Sequence, residues 1–173
     1  MSQINLAAQI RDVPNFPKKG ILFKDITTLL KNGPAFRQAI DDLAGQVRGL
    51  EVDAVVGMES RGFIFAAPLA YLLGVGFVPV RKLGRLPAAT VSVEYELEYG
   101  TNTLELHVDA LKAGDRVLVV DDLLATGGTV AATIDLVERL GATVSACAFL
   151  VELLFLNGRQ RLEDRRIISL IQY

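Results

Sequence analysis

Two acids, two glycines and two threonines fall within nine residues of this chain: Asp121-Asp122-Leu123-Leu124-Ala125-Thr126-Gly127-Gly128-Thr129. The apolar run Val117-Leu118-Val119-Val120 precedes them and a helical pattern follows. Gly127, Gly128 and small Ala125 let backbone come close to a ligand. Thr126 and Thr129 offer hydroxyls. The backbone N–H groups of Thr126 to Thr129 would converge at a helix N-terminus, where unpaired donors and about half a positive charge favour an anion. A phosphate monoester suits that cradle. Asp121 and Asp122 would repel it, so they need another partner. That partner is either the vicinal hydroxyls of a sugar or a magnesium ion, which keeps several waters and uses few protein ligands. Acids beside a phosphate cradle therefore point to a phosphorylated sugar.

A second string, Met58-Glu59-Ser60-Arg61-Gly62, follows another apolar run, Ala54-Val55-Val56-Gly57, and repeats the pattern of small residues, a hydroxyl and a helix start. Arg61 adds a planar fork of donors suited to pyrophosphate. Two such loops call for a ligand with two phosphate groups. Arg81, Lys82 and Arg85 then cluster in a loop marked by Gly84 and Pro87. A cationic loop of this kind can close over an anionic ligand and exclude water. Beyond it, Glu96 and Glu98 share one strand parity, with Tyr95, Leu97 and Tyr99 on the other.

These residues need elements to hold them. Leu6–Ile10 reads as a short helix and Val13–Gly20 as a turn-rich loop. Pro34 opens a helix to about Arg48, with Phe36, Ile40, Leu43 and Val47 at helical spacing. Asp53–Gly57 is a buried strand, and Gly62 to Leu73 a helix that Pro68 should kink and Gly74 stop. Gly76–Val80 is a strand, followed by the basic loop Arg81–Ala89. Residues 91–97 and 103–108 form a hairpin around Gly100-Thr101-Asn102. Arg116–Val120, Val144–Val151 and Ile167–Ile171 are strands, and Val130–Leu140 is a helix closed by Gly141. Short apolar strands alternating with helices predict an α/β fold, a mostly parallel twisted sheet with helices on both faces. Ligands in such sheets bind beyond the carboxyl ends of the strands.

Composition narrows the function classes. The chain has 173 residues, is 51% apolar and carries a formal net charge of −2. That fits a single domain over 1–173 and excludes a disordered protein. Mean hydropathy is +0.36 and the pI about 5.4, which argues against a dedicated nucleic-acid binder. One cysteine permits no intrachain disulfide. The N-terminus lacks a signal-peptide pattern, and the uncharged run Gly62–Val80 is broken by Pro68, Gly74, Gly76 and Pro79, so it is read as helix plus strand and not as a membrane span. A cytosolic protein is expected. His107 stands alone, Cys147 reads as a core thiol, Asp41 and Asp42 as solvated, and no Cys/His spacing suggests zinc. There is no Walker-type P-loop and no dinucleotide fingerprint.

The string Val119–Thr129 resembles the ribose-phosphate signature of type I phosphoribosyltransferases, which use 5-phosphoribosyl 1-pyrophosphate (PRPP) as donor. Met58–Gly62 resembles the pyrophosphate loop of the same family, in which one peptide is often cis. Phe16–Leu30 resembles the hood of the adenine-using members, and Glu152 and Ser169–Tyr173 are weaker echoes, so the resemblance is nearly full length. It implies the type I fold with a hood at about 14–30 and a flexible hairpin lid at about 81–103. It implies that Asp121, Asp122, Ala125, Thr126, Gly127, Gly128 and Thr129 bind ribose phosphate. Glu59, Ser60, Arg61, Arg81, Lys82 and Arg85 would bind pyrophosphate, and Leu22, Phe23 and Lys24 adenine. Lys24 stands where arginine is also common, and lacks the planar fork. Glu98, before Tyr99 and Gly100, matches the catalytic acid proposed for adenine-using members, with Tyr99 in the lid. The resemblance further implies Mg²⁺ bound with PRPP near Asp121 and Asp122, AMP and pyrophosphate as products, no nucleic-acid polymer or membrane partner, and a homodimer. Transfer to another purine and a non-catalytic PRPP sensor are the alternatives. A sensor of this kind would need an added DNA-binding module.

Overall fold

The computed structural model describes residues 3–96, 100–162 and 165–173, the side chain of Glu96 excepted. The chain forms two compact units, Met1–Asp42 and Leu43–Tyr173.

In the first unit, a 3-10 turn at Ala7–Gln9 leads into β1 (Arg11–Pro14), which pairs antiparallel with β2 (Leu22–Asp25). The expected loop over Val13–Gly20 is thus a hairpin at its flanks. Opposite charges face each other across the strands: Arg11 pairs with Asp25, and Lys24 Nζ lies 2.7 Å from Asp12 Oδ1. Such cross-strand pairs favour one register. Asn15 and Gly20, with φ of 59° and 91°, turn the chain between them, and the Phe16–Pro17 peptide is cis. A short α1 (Thr27–Leu30) follows, then α2 (Gly33–Val47), which runs on into the second unit. Gln38 of α2 holds the N-terminal segment by two hydrogen bonds to the backbone of Ile4, at 2.8 and 2.9 Å. Of the helical stripe, Ile40, Leu43 and Val47 are buried and Phe36 is half-buried.

The second unit is built on a seven-stranded sheet. In chain order its elements are β3 (Ala54–Met58), α3 (Gly62–Leu73), β4 (Gly76–Lys82), β5 (Thr90–Glu96), β6 (Thr101–His107), β7 (Arg116–Leu124), α4 (Gly128–Arg139), β8 (Thr143–Glu152) and β9 (Ile167–Gln172). The spatial order is β5-β6-β4-β3-β7-β8-β9. Pairing is parallel from β4 through β9, and antiparallel where β6 meets β4 and β5. α3 spans Pro68 and ends at Gly74, whose φ of 70° gives the left-handed cap. The uncharged run Gly62–Val80 is therefore a helix and a strand, and among the described residues no helix is long and apolar enough to cross a membrane.

The two crossovers leave the centre in opposite directions, β3–α3–β4 one way and β7–α4–β8 the other. Right-handed crossovers in opposite directions place their helices on opposite faces. Strand parity agrees. Val78, Val56, Val119, Cys147 and Ile167 lie in register in one layer with Val130, Ile134 and Val137 of α4. Gly57, of the other parity, faces α3 so closely that a Cβ on it would lie 2.7 Å from Ala66 Cβ. Arg116 joins the strand starts, its Nε 2.8 Å from Asp53 Oδ2, and that pair holds the Asp53 carboxyl down at about 2.

Candidate active site

Between β3 and β7 the direction of the crossovers reverses, and the two parallel strands end at the same edge of the sheet. That is where an open α/β sheet offers a crevice. A cleft of about 520 Å³ lies there, lined by Glu59, Ser60, Arg61, Lys82, Tyr95, Asn102, Leu104, Asp121, Asp122 and Thr129. The two loops with anion-binding character meet in it, although the residues that form them are far apart in the chain.

β7 outlasts its apolar run. Asp121 and Asp122 are strand residues, not loop residues as the sequence pattern suggests, because β8 goes on pairing with them: Asp121 opposes Phe149 and Leu124 opposes Glu152. The turn that follows is only Ala125–Gly127, and α4 begins at Gly128, two residues earlier than periodicity indicates. Gly127 has φ of 81° and its carbonyl accepts from Ala131 N at 2.9 Å, which starts the helix. The N–H groups at this end are therefore free of helical partners. Thr129 lines the cleft and Thr126 is exposed at the turn.

The paired acids are electrostatically unusual. Burial pushes the Asp121 carboxyl well above the ordinary range, and the neighbouring Asp122 charge pushes it further. Burial also raises Asp122, against the pull of Arg61, whose Nε lies 2.8 Å from Asp122 Oδ2. Asp122 N donates to Asp121 Oδ1 at 2.8 Å. Two adjacent acids, Asp122 buried and Asp121 half-buried in the cleft, are costly without a ligand, and perturbed groups of this kind concentrate at functional sites.

The loop after β3 is held from the side of β4. Glu59 N donates to Val80 O at 2.9 Å, and the Glu59 carboxylate accepts from Lys82 N at 3.0 Å and Arg81 Nε at 3.1 Å. Burial alone would raise its pKa, but these donors and the Arg85 charge outweigh it and hold it low. Glu59 is thus a structural anchor of the loop as well as a cleft residue. The Glu59–Ser60 peptide is cis, the isomer often found in the loop this segment resembles. Gly62 starts α3 so close to β7 that a Cβ would lie 2.8 Å from Asp121 Oδ1 and 3.0 Å from Val120 O.

Of the expected cations, Arg61 and Lys82 line the cleft, while Arg81 is engaged by Glu59. Arg85 is exposed, and its carbonyl accepts from Arg81 at 3.2 Å. Arg81 and Lys82 belong to β4 and not to a loop, since β6 extends the ladder to them: Arg81 opposes Glu105 and Lys82 opposes Leu104. Glu98 and Tyr99 lie outside the described residues. Leu22, Phe23 and Lys24 lie on β2 in the first unit, with Leu22 about half exposed and Phe23 edge-on to Phe16 at 5.1 Å.

Sequence reasoning missed Tyr95 and Asn102. The Tyr95 hydroxyl is 3.4 Å from Thr129 Oγ1, and Asn102 is its partner across β5 and β6. The signal was present in the strand parity, which puts Tyr95 on the inward side of β5 with Val91 and Val93.

Known proteins place the chain in a family. A family model describing a phosphoribosyl transferase domain matches residues 27–170. An adenine phosphoribosyltransferase of Chloroflexus aurantiacus is 61% identical over 173 residues, covering all of both chains. The crystal structure of the Thermoanaerobacter pseudethanolicus adenine phosphoribosyltransferase is 57% identical and superposes with a TM-score of 0.95, over 97% of this chain and 98% of that one. The Saccharomyces cerevisiae enzyme, solved with adenine and an imino-altritol bisphosphate, is 42% identical with a TM-score of 0.89, over 95% of each chain.

Proposed function

This chain belongs to the phosphoribosyl transferase family, and from that premise we propose that it transfers the phosphoribosyl group of PRPP to adenine, giving AMP and pyrophosphate in purine salvage. The observation that carries the reading is the meeting of two anion loops at the carboxyl ends of adjacent parallel strands, with two acids between them. The yeast relative was solved with adenine and a sugar-like bisphosphate, a purine base beside a ligand with two phosphate groups.

Each part of the site then has a task. Ala125, Thr126, Gly127, Gly128 and Thr129 hold the ribose phosphate with backbone N–H groups and hydroxyls. Asp121 and Asp122 accept from the ribose hydroxyls and favour positive charge developing on the sugar. Ser60 and Arg61, with Lys82 and Arg85, take the pyrophosphate, and Glu59 and Arg81 hold that loop in place. Leu22, Phe23 and Lys24 are the residues this reading assigns to the base. The bond from the anomeric carbon to pyrophosphate oxygen breaks as a base nitrogen bonds to that carbon. The base loses a proton, which Glu98 is placed in this scheme to receive. The segment at about 81–103, with Tyr99, is the lid in this reading and keeps water from the reactive sugar.

Among the described residues no group of three or more acids, histidines or cysteines could cage a metal. Two carboxylates in a cleft suit Mg²⁺ that arrives with substrate phosphates and keeps most of its waters. When bound, it neutralises charge on the departing pyrophosphate. The chain acts in this reading as a cytoplasmic homodimer.

A base panel tests the assignment. Adenine, hypoxanthine, guanine, xanthine, uracil and orotate are offered with PRPP and Mg²⁺, and pyrophosphate release is followed. Product from adenine alone is the expected result. Preference for another base would overturn the base site but leave the phosphate loops, and PRPP binding without turnover would favour a sensor.

A further inference from the structure

The turn that cradles phosphate in this reading is itself pressed from behind by another turn. Gly158 sits against it backbone to backbone. A Cβ on Gly158 would lie 2.2 Å from Ala125 O, and a Cβ on Gly127 would lie 2.5 Å from Gly158 O. Neither position tolerates a side chain without moving the phosphate turn.

What holds Gly158 there is a buried acid one strand away. Glu152, at the end of β8, is 2% exposed. Its carboxylate accepts from Arg159 Nη2 at 2.7 Å, from Ser169 Oγ at 2.6 Å and from Gln172 Nε2 at 3.3 Å, with a further contact from Arg159 Nε. These donors hold the Glu152 carboxyl below the usual range despite its burial. Around them, Leu153 N donates to Leu124 O at 3.0 Å, Tyr173 N to Glu152 O at 3.0 Å and Leu154 N to Tyr173 O at 2.9 Å. Asn157, with φ of 53°, turns the chain into the 3-10 segment Gly158–Leu162. The end of β7, the end of β8 and the C-terminal strand are thus tied to one turn, which abuts the phosphate loop.

We propose that Glu152, Arg159 and Ser169 form a positioning clamp. It fixes Gly158 against Ala125 and Gly127, and so sets the aim of the N–H groups that take the ribose phosphate. None of the three residues lines the cleft. The inference rests on the phosphate-loop reading above. A loop displaced by about an ångström can cost as much as about a hundredfold in activity even when the change is remote. The effect belongs to the PRPP side of the reaction and not to adenine.

The test compares Glu152→Gln, Arg159→Lys, Arg159→Met, Ser169→Ala and Gly158→Ala with Thr126→Val as a direct probe of the loop. Steady-state KM for PRPP and for adenine, kcat and Tm are read for each, and ribose 5-phosphate binding is measured by calorimetry. Glu152→Gln and Arg159→Met are expected to raise the PRPP KM and the ribose 5-phosphate Kd about tenfold or more, with adenine KM within about twofold. Arg159→Lys should recover part of the loss and Gly158→Ala should give the largest one. Ser169→Ala, which keeps the ion pair, should fold as the parent does and show a smaller shift of the same kind. A fall in Tm across the clamp variants with PRPP KM unchanged would overturn the clamp. Equal rises in both KM values would overturn it too. If Thr126→Val weakens PRPP and the clamp variants do not, the clamp alone fails. If Thr126→Val also has no effect, the phosphate-loop reading fails with it.

Discussion

Asp121 shows best what one residue can and cannot reveal. Its type and its neighbour Asp122 were legible as chemistry, but its place in β7 was not. Nothing local says that β8 will run on to Glu152 and keep pairing with Asp121. The cost of that placement is readable in its raised pKa, caused by burial and then by the Asp122 charge. A carboxyl raised on folding holds its proton over a pH interval in which the unfolded chain has lost it. Wild-type stability attributable to Asp121 therefore falls as pH rises through that interval. Asp121→Asn keeps an oxygen for the Asp122 amide and removes the charge. It should melt higher than wild type near pH ~8, with the advantage shrinking toward about pH 4. Its PRPP KM should rise about tenfold or more, since a bond from a ribose hydroxyl to a charged acceptor is lost. Melting scans across pH, with kinetics at one pH, check both halves.

At the scale of elements, apolar runs and caps were the readable part. α3 begins at Gly62 and ends at Leu73 as the sequence pattern places it, because Gly74 supplies the left-handed cap. The hairpin of β1 and β2 was not readable. Its strands are four residues each, mixed in polarity, and their register rests on Arg11–Asp25 and Lys24–Asp12 pairs that only the fold brings together. Close element packing was also hidden. Gly57 looks like an ordinary strand glycine, yet β3 lies against α3 with no room for a methyl group. Gly57→Ala should cost about 1–3 kcal/mol through overpacking, with Tm lower by about 2–4 °C for each kcal/mol. Chemical denaturation and calorimetry measure it. An unchanged Tm would mean that Phe77 and Ala66 give way more easily than the packing suggests.

For the whole molecule, fold class followed from alternation of strand and helix, while strand order did not. That β3 neighbours β7 depends on the crossovers going opposite ways, which no window of sequence encodes. The result is one continuous buried layer with Cys147 at its heart, fully buried, its thiol pushed up to about 12 by that burial. Thiol reagents at pH ~8 should therefore leave the native protein unmodified and react at a rate set by opening of the central sheet. Labelling at the rate of a free thiol would mean that β8 opens locally.

The adjacency of β3 and β7 has a metric consequence. The two strands run one ladder spacing apart, about 4.8 Å, from Ala54–Val117 to Gly57–Val120, and β7 then projects past the end of β3 to Leu124. The two anion loops are carried on the tips, so the sheet works as a calliper with backbone jaws. Substitutions in the cleft change the grip of either jaw, while the spacing of the paired strands stays fixed by the ladder. Kinetics with donor analogues whose two phosphate groups are spaced differently from those of PRPP should show poorer turnover, and equal turnover would mean that the strand spacing does not set the fit.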